Sequence, residues 1–219
     1  MPRTLDQLSP RAGLVEVARI FYERGWMAGT AGNLSVRAPN QNTPALWITA
    51  SGLPKGHLDE GDFILASVET GTVIEQAKPG QKPSAETSIH RAVYARVPEA
   101  KACLHVHSVD GVLAIRRHAP TAHRLRLPAL EMLKGFDIWD ERPEVELPIF
   151  ENLANVPEIA AQLDRYLAEG TARVPAAMIR DHGVTVWGRG LQEAFNRLEI
   201  MEYLFGFLAR ATPAEVGAK

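Results

Sequence analysis

The sequence predicts a mixed α/β protein in which a central sheet carries helices on both faces. Strand-like and helix-like segments are interspersed without strict β-α-β alternation, and one hairpin pattern indicates that the pairing is at least partly antiparallel. The chain has 219 residues, and 46% of them are hydrophobic. This length and composition suit one α/β domain with a sizeable core, so we expect residues 1–219 to form a single domain.

The first half of the chain predicts a helix, two strands, a hairpin and a second helix. The segment "SPRAGLVEVARIFYERG" has the signals of a helix, because Ser9 can cap it, Pro10 suits its first turn and Gly25 can end it. The segments that follow are a small-residue turn running into a strand at 29–37, a strand at 45–51, a hairpin at 62–76 that turns near Thr70 and Gly71, and a helix that begins near Ser84.

The second half predicts a mixture of short strands and longer helices. Its final helix is apolar over much of its circumference, so we expect part of it to face a partner subunit. The predicted segments are a strand at 101–107 with a helix after it, a strand at 144–150, a helix at 156–170, two short strands at 175–190 that are broken at His182 and Gly183, and the long final helix at 191–211.

Composition excludes several classes of function. The net charge is −2, which does not indicate a nucleic-acid or anionic-membrane partner. Cys103 is the only cysteine, so no disulfide can form within the chain, and this fits a reducing compartment. The start, "MPRTLDQLSPR", lacks the apolar region of a secretory signal, and no apolar run reaches the ~18 residues of a membrane span. We therefore expect a soluble, cytoplasmic protein.

Two histidines stand one residue apart in the strand-like segment "KACLHVHS". Residues i and i+2 of a strand point to the same face, so His105 and His107 project side by side while their neighbours point the other way. Two adjacent imidazoles can share one cation, and zinc prefers nitrogen ligands. His182 is the best third ligand, because it lies at the break between two apolar strands and precedes a glycine that permits a tight turn.

The spacing of two histidines alone does not establish a metal site, since two ordinary polar residues can share a strand face. Cys103 lies on the same face and could be a fourth ligand, but a lone cysteine in a strand is more often a small buried hydrophobic residue. The other histidines have less favourable surroundings: a polar loop for His57, an outward-facing helical position for His90, and a solvated, arginine-rich segment for His118 and His123.

Two carboxylates are candidates for acid–base chemistry. Glu131 is flanked by apolar residues in "PALEMLKGFD", so we expect partial burial and a raised pKa, which suit proton transfer. A surface acid on one helical turn is the alternative. Glu86 lies in the predicted first turn of a helix, where an acid also complements the helix dipole while Ser84 acts as the cap.

Two small-residue loops, "GTAGNLSVR" and "TASGLPKG", expose backbone N–H groups and hydroxyls that can hold a phosphate. Lys55 and Lys134 could add positive charge to such a site. Neither loop has the glycine pattern of a Walker A or dinucleotide site, so a nucleotide is not expected. Ordinary turn chemistry is the alternative for each loop taken alone.

Six separated motifs, taken in order, carry a resemblance along nearly the whole chain. They are "GTAGNLSVR", "ITASGLPKG", "KPSAETSIH", "HVHS", "LEMLKG" and "RDHGVTVWG". On these motifs the chain resembles the class II aldolase/adducin-like family. The resemblance implies a three-layer α/β/α fold with a central, mostly antiparallel sheet, and a homotetramer with sites near the subunit interfaces.

The resemblance also implies roles for individual residues. One zinc ion per subunit would be held by His105, His107 and His182. Glu131 would be the acid–base residue. Glu86 matches an essential acidic position of sugar-phosphate aldolases, although some dehydratases of the family have cysteine there. The substrate phosphate would contact residues of the small-residue loops and of the following helix start, namely Asn33, Ser51, Gly52 and Ser84.

The implied activity is the zinc-dependent dehydration of a 2-ketose phosphate. A base removes the C3 proton, the C4 hydroxyl leaves as water, and Glu131 could serve both steps. A sugar-phosphate aldolase or epimerase on the same scaffold is the alternative. It is weakened because the aldolases of the family have a second serine after the one that matches Ser84, whereas this chain has Ala85 there. A non-enzymatic scaffold is a third hypothesis, against which the intact histidine set argues.

Overall fold

The strands and helices fall at most of the positions that the sequence predicts. The computed structural model describes residues 4–39, 42–141 and 143–212. In chain order, the strands are β1 (Asn33–Arg37), β2 (Ala45–Thr49), β3 (Phe63–Ser67), β4 (Val73–Glu75), β5 (Ala102–Val106), β6 (Arg124–Arg126), β7 (Glu146–Phe150), β8 (Ala176–Ile179) and β9 (Gly183–Gly188). The helices are α1 (Pro10–Glu23), α2 (Thr87–Arg96), α3 (Val109–His118), α4 (Val156–Ala168) and α5 (Leu191–Arg210).

The described strands form one sheet in the order β4-β3-β2-β1-β5-β9-β8-β7-β6. Neighbouring strands pair antiparallel, with the exception of β7 and β8, which run parallel. The expectation of a central, mostly antiparallel sheet is confirmed. The order also places β9, the last strand in the chain, between β5 and β8.

Helices cover both faces of the sheet, as expected. On one face, α1, α3 and α5 share a core with the strands that includes Phe21, Ile115 and Leu204. On the other face, α2 and α4 enclose a second core that includes Val93 and Leu163. The layers are therefore α/β/α, and both sheet faces are withdrawn from water.

Local signals in the sequence set the ends of these elements. Ser9 caps α1, and its Oγ accepts the backbone N–H of Ala12 at 3.2 Å. Gly25 follows α1 with a left-handed φ of +76°, a conformation that favours glycine. The predicted hairpin is formed by β3 and β4, and it turns at Gly71, whose φ is also +76°.

The two faces of β5 have different surroundings, and this difference positions the site. Leu104 and Val106 lie in the core shared with α1, α3 and α5. His105 points to the opposite face, toward α2 and α4. The strand registers pair His105 with Asn33 of β1 and with Thr185 of β9, so three polar side chains form a row across three central strands.

Two elements lie where the sequence has no clear signal. β6 has one buried side chain, Leu125, between two exposed arginines, so it is too short to show an alternating pattern. The segment Glu131–Phe136 forms a 3₁₀ helix.

None of the helices in the described part of the chain combines the length and the apolar character that crossing a bilayer requires.

Candidate metal centre

Three histidines and one glutamate converge at one end of the central strands. The potential ligand atoms of Glu86, His105, His107 and His182 all lie within 4.8 Å of one another. The centroids of the three imidazole rings are 4.4–5.2 Å apart. Among the described residues, this group could hold one metal ion, and it contains all three histidines that the sequence singles out as ligands.

The pairing of β5 with β9 brings these histidines together. His105 belongs to β5, and His107 follows the strand directly, where its backbone N–H donates to the Trp26 carbonyl at 2.9 Å. His182 lies in the short turn between β8 and β9. Because Val184 pairs with Val106, this turn is carried to the end of β5.

Gly183 is required by close packing. A Cβ at this position would lie directly against the Val106 carbonyl oxygen, 2.9 Å from Cδ2 of His107 and 3.1 Å from Cε1 of His105. The left-handed residue of the turn is Asp181, with a φ of +51°. The glycine therefore lets β9 approach two imidazoles, whereas the sequence analysis assigned it the role of permitting a tight turn.

Glu86 reaches the cluster from the N-cap position of α2. Its backbone N–H donates to the Ser84 hydroxyl at 3.3 Å. Ser84 in turn donates its N–H to the carbonyl of Thr49, at the end of β2, at 3.1 Å. The turn that carries Glu86 is thereby attached to the sheet.

The hydrogen bonds of two imidazoles direct their Nε2 atoms into the cluster. His105 Nδ1 bonds to the Thr185 hydroxyl at 2.9 Å, and His182 Nδ1 donates to the side-chain oxygen of Asn152 at 3.1 Å. With its proton on Nδ1, each ring would present the lone pair of Nε2 to a metal ion, and for His182 the ion would replace the 2.6 Å contact between Nε2 and Glu86 Oε1.

The spacing of the nitrogen atoms fits a tetrahedral ion. The Nε2 atoms of His105 and His107 lie 3.0 Å apart. Nitrogen ligands at about 2.0–2.1 Å from a tetrahedral zinc ion would be about 3.3 Å apart. The imidazoles therefore need only a small adjustment to share one such ion.

The charges of the cluster favour a cation. Burial lowers the pKa of His105, and it lowers that of His107 to about 3, so both rings are neutral near pH 7. Burial by itself would raise the pKa of Glu86, but the neighbouring His105 and His182 rings and the Asn33 amide outweigh it and hold that pKa well below its usual range. Neutral imidazoles and an ionised carboxylate are the forms that bind metal.

The two oxygens of Glu86 face different partners. Oε1 lies 2.6 Å from His182 Nε2, and Oε2 lies 3.5 Å from His105 Nε2. Oε2 also accepts a hydrogen bond from the side-chain amide of Asn33. Asn33 itself is only 2% exposed, and its amide oxygen contacts His90. Asn33 is therefore a buried contact of Glu86, and its contact with a substrate phosphate stays a prediction.

Ser51, Gly52 and Ser84 lie on neighbouring segments. Ser51 donates its N–H to the Lys82 carbonyl at 2.8 Å, next to an isolated bridge between Ala50 and residue 83. Ser51 and Gly52 are exposed, and Ser84 is half-buried. The loop after β2 and the turn before α2 therefore form one accessible surface beside Glu86.

Lys55 is a buried cation that joins the two small-residue loops. It is 2% exposed, and its ammonium group donates to the carbonyls of Thr30 at 2.7 Å and Leu53 at 2.9 Å. Burial lowers its pKa, and the negative charge of Glu86 acts in the opposite direction. Lys55 forms no direct ion pair within the described ranges, and the Glu86 carboxylate acts on its charge from a longer distance.

The prediction of a partly buried Glu131 is wrong. Its side chain is 81% exposed, and it pairs with Lys134 at 2.7 Å. Lys134 also lies over the ring of Trp139, 5.3 Å from its centroid. The apolar neighbours misled the interpretation, because the 3₁₀ segment directs Leu133 and Phe136 inward and leaves Glu131 in solvent. In the described part of one chain, Glu131 does not belong to the histidine cluster.

The expectation that His90 faces outward is also wrong, since it is fully buried. A sequence signal was present: Glu86, His90 and Tyr94 are spaced four residues apart, so they lie on one face of α2. Asn33 and Ser35 alternate in the same way along one face of β1. The two polar faces meet beneath the cluster.

Cys103 and the remaining histidines lie outside the cluster. Cys103 is fully buried in the core beneath α2 and α4, where burial raises the pKa of its thiol. His57 and His123 are exposed, whereas His118 is half-buried and contacts the Leu208 carbonyl at 2.7 Å. Cys103 is thus the small buried residue that a strand cysteine usually is.

This fold and this site place the chain among known proteins. Residues 12–208 match the family described as Class II Aldolase and Adducin N-terminal domain. The chain belongs to this family.

Relatives over nearly the full length carry one name, methylthioribulose-1-phosphate dehydratase. The protein of that name from Microcystis aeruginosa is 48% identical over 92% of this chain and 96% of its own length. The one from Leptospira biflexa is 40% identical over 94% and 99%, and the one from Bacillus pumilus is 37% identical over 91% of each chain. Dehydratases of this kind are lyases.

Solved structures show the same architecture. L-fuculose-1-phosphate aldolase from Thermus thermophilus is 25% identical, with a TM-score of 0.67 over 90% of this chain and 91% of that one. An aldolase II superfamily protein from Pseudomonas syringae, 21% identical, has a TM-score of 0.75 over 98% and 83%. The second likeness shows the fold alone.

Proposed function

We propose that this protein is a zinc-dependent hydro-lyase that converts 5-methylthioribulose 1-phosphate to 2,3-diketo-5-methylthiopentyl 1-phosphate, a step of methionine salvage. The observation that carries the proposal is the convergence of three imidazoles and an ionised carboxylate, in a chain that is 48% identical to a protein named for this dehydration.

His105, His107 and His182 would hold the metal. A catalytic zinc ion keeps one coordination position open, so we assign three histidines as ligands and Glu86 as the carboxylate beside the open position. A bound zinc ion would supply Lewis-acid polarisation of the substrate carbonyl group. Imidazole sites also take iron, cobalt or manganese, so the choice of zinc is part of the proposal.

The reaction requires a dehydration and a tautomerisation. One proton leaves C3, the C4–oxygen bond breaks, and the hydroxyl takes up a proton and departs as water. The resulting enol then gains a proton at C4 and loses its hydroxyl proton, which gives the diketone. Glu86 is ionised and stands at the cluster. Glu131 is exposed and paired with Lys134, so its proposed acid–base role requires a second copy of the chain to bring it to the cluster.

Such an arrangement agrees with the proposed homotetramer. Exposed apolar side chains suitable for subunit contacts occur on α3 and α5, namely Val109, Leu113, Tyr203 and Phe207. The proposed cytoplasmic location is supported by the lone, buried cysteine.

The substrate phosphate would lie on the surface formed by Ser51, Gly52 and Ser84. The positive charge of Lys55, which lies beneath the loops without a direct ion pair in the described part of the chain, would attract the anion. Lys134 is paired with Glu131. Its proposed contact with the phosphate therefore also requires a second copy of the chain to bring it to the cluster.

A product assay tests the proposal. The zinc-loaded protein is incubated with 5-methylthioribulose 1-phosphate, and the diketone is followed by mass spectrometry and absorbance. We expect turnover that disappears on chelation and in a His105→Ala variant. Absence of the diketone with stoichiometric zinc bound would rule the dehydratase out.

A second candidate is a sugar-phosphate aldolase or epimerase, favoured by the likeness to the Thermus thermophilus aldolase. Ala85 at the place of the second aldolase serine argues against it. Fuculose 1-phosphate and ribulose phosphates are therefore included as substrates, with enzymatic detection of dihydroxyacetone phosphate and of the epimer. Release of either product without diketone formation would favour this candidate.

A further inference from the structure

A line of buried polar side chains leads from Glu86 into the sheet, away from the histidine cluster. It runs through Asn33 and Ser35 of β1 and through His90 and Tyr94 of α2. His90 and Ser35 are 0% exposed, and Asn33 and Tyr94 are 2% exposed. Buried polar groups need partners, and here each of the four bonds to the next.

The first two hydrogen bonds can be directed in one way only. An ionised carboxylate only accepts hydrogen bonds, so the Asn33 amino group donates to Glu86 Oε2. The Asn33 oxygen then faces His90 Nε2 at 2.5 Å. A carbonyl oxygen only accepts, so His90 carries a proton on Nε2.

The remaining two bonds follow from the first. Burial lowers the pKa of His90 to about 3, so the ring is neutral and its Nδ1 has no proton. The Ser35 hydroxyl, 2.6 Å from Nδ1, donates to it. The Cys103 carbonyl oxygen is a second acceptor 3.4 Å from Ser35 Oγ, but the 2.6 Å contact to Nδ1 is much the shorter, so the only hydroxyl hydrogen goes to His90. The Tyr94 hydroxyl, 2.8 Å away, therefore donates to Ser35 Oγ. All four donors point toward Glu86.

We propose that His90 is a positioning residue that acts on Glu86 through Asn33. Its Nε2–H fixes the orientation of the Asn33 amide, and the amide holds the Glu86 carboxylate beside the histidines. If the Asn33 amide were rotated by a half turn, its oxygen would face the Glu86 carboxylate and its amino group would face the His90 N–H. Both hydrogen bonds would then be lost. The activity part of this inference rests on the proposed function, whereas the protonation of His90 does not.

Nitrogen-15 NMR of the zinc-loaded, histidine-labelled protein tests the ordering directly. We expect His90 to show a protonated Nε2 and a bare Nδ1 at every pH from about 5 to about 8. The signal is assigned by its disappearance in a His90→Gln variant. A His90 ring protonated on Nδ1, or one that titrates near pH 6.5, would overturn the proposal.

Two matched variants test the effect on Glu86. Glutamine can place its amide nitrogen near the position of Nε2, so His90→Gln keeps a donor to Asn33. Asparagine reaches only the position of Nδ1, so His90→Asn keeps the contact to Ser35 and loses the one to Asn33. Both variants remove a buried ring and should lower the unfolding temperature alike.

For the dehydration, we expect kcat to fall about 10–100-fold in His90→Asn, with KM little changed, and to be largely preserved in His90→Gln. Equal losses in both variants, in proportion to their unfolding temperatures, would overturn the proposal and mark His90 as a purely structural residue. Tyr94→Phe serves as a control, because it removes the far donor but leaves the bond between Ser35 and His90. A change in the His90 protonation in Tyr94→Phe would contradict the ordering.

Failure of the proposed function is distinguishable from failure of this inference. A wild-type protein that lacks dehydratase activity while His90 shows the Nε2 proton would overturn the function alone. An active protein with His90 protonated on Nδ1 would overturn the positioning role alone.

Discussion

Replacing Gly183 by alanine tests whether the close approach of β9 sets the geometry of the histidines. The added Cβ would lie 2.9 Å from Cδ2 of His107, where ordinary contacts begin at 3.4 Å, so the imidazole must retreat by the difference of about 0.5 Å. The Val106 carbonyl oxygen, also in the way, is part of the β5 backbone and moves only with the strand. Metal–ligand distances tolerate deviations of only about 0.2 Å.

We therefore expect zinc affinity to fall about 10–100-fold, and the free energy of unfolding of the metal-free protein to fall by about 1–3 kcal/mol. Competition with a chromophoric chelator measures the first quantity, and denaturant titration measures the second.

Gly188→Ala is the matched control, because Gly188 ends the same strand and its Cβ would lie 2.6 Å from the backbone nitrogen of Ala194. It should lower stability by a similar amount and leave zinc affinity unchanged. Wild-type zinc affinity in Gly183→Ala, or an equal loss in Gly188→Ala, would refute the reasoning.

Three further results are expected. Thr185→Val removes the hydroxyl that bonds to His105 Nδ1, so chelator competition should show about a 10–100-fold loss of zinc affinity; unchanged affinity would mean that the bond does not orient the ring. Co-expression of Glu131→Gln with His105→Ala should restore activity that each variant lacks alone. In mixed oligomers the first chain supplies an intact histidine cluster and the second supplies an intact Glu131. No recovery would show that Glu131 is not supplied by a second copy. The free energy of unfolding of the metal-free protein should fall as the pH falls below about 6.5. In this range His90 binds a proton in the unfolded chain, whereas in the folded state it stays neutral until about pH 3. Between pH 6.5 and 5 this residue accounts for about 1.6 kcal/mol, and His90→Gln should show a correspondingly shallower loss in denaturant titrations. An identical pH dependence in both proteins would contradict the neutral state of His90.

The elements that form the metal centre could be predicted from the sequence, because their signals are local. The alternation of β5 shows which side chains share a face with His105, and the break before Gly183 separates β8 from β9. The convergence of His182 on His105 depends on the pairing of β5 with β9. No local pattern contains that pairing, so the break in the strand pattern pointed to His182 as a third ligand but could not show which strand brings it to His105.

The buried partners of the site were harder to predict, for a physical reason. His90, Asn33 and Ser35 are polar residues, and polar residues are buried only where the fold supplies partners for them. Those partners come from a strand and a helix about 55 residues apart. The error on Glu131 has the opposite origin, since Leu133 and Phe136 of the same segment are buried and the Glu131 side chain points outward.

The central position of β9 also has a consequence for the order in which the molecule can fold. Until this strand is in place, β5 and β8 both present unpaired backbone groups in the middle of the sheet, which is the kind of edge that recruits strands from other molecules. The same strand delivers His182 to histidines about 75 residues earlier in the chain. A chain that has not inserted β9 is therefore both prone to aggregate and unable to assemble the three-histidine site, so binding of the proposed zinc ion at full stoichiometry would report that the sheet has closed.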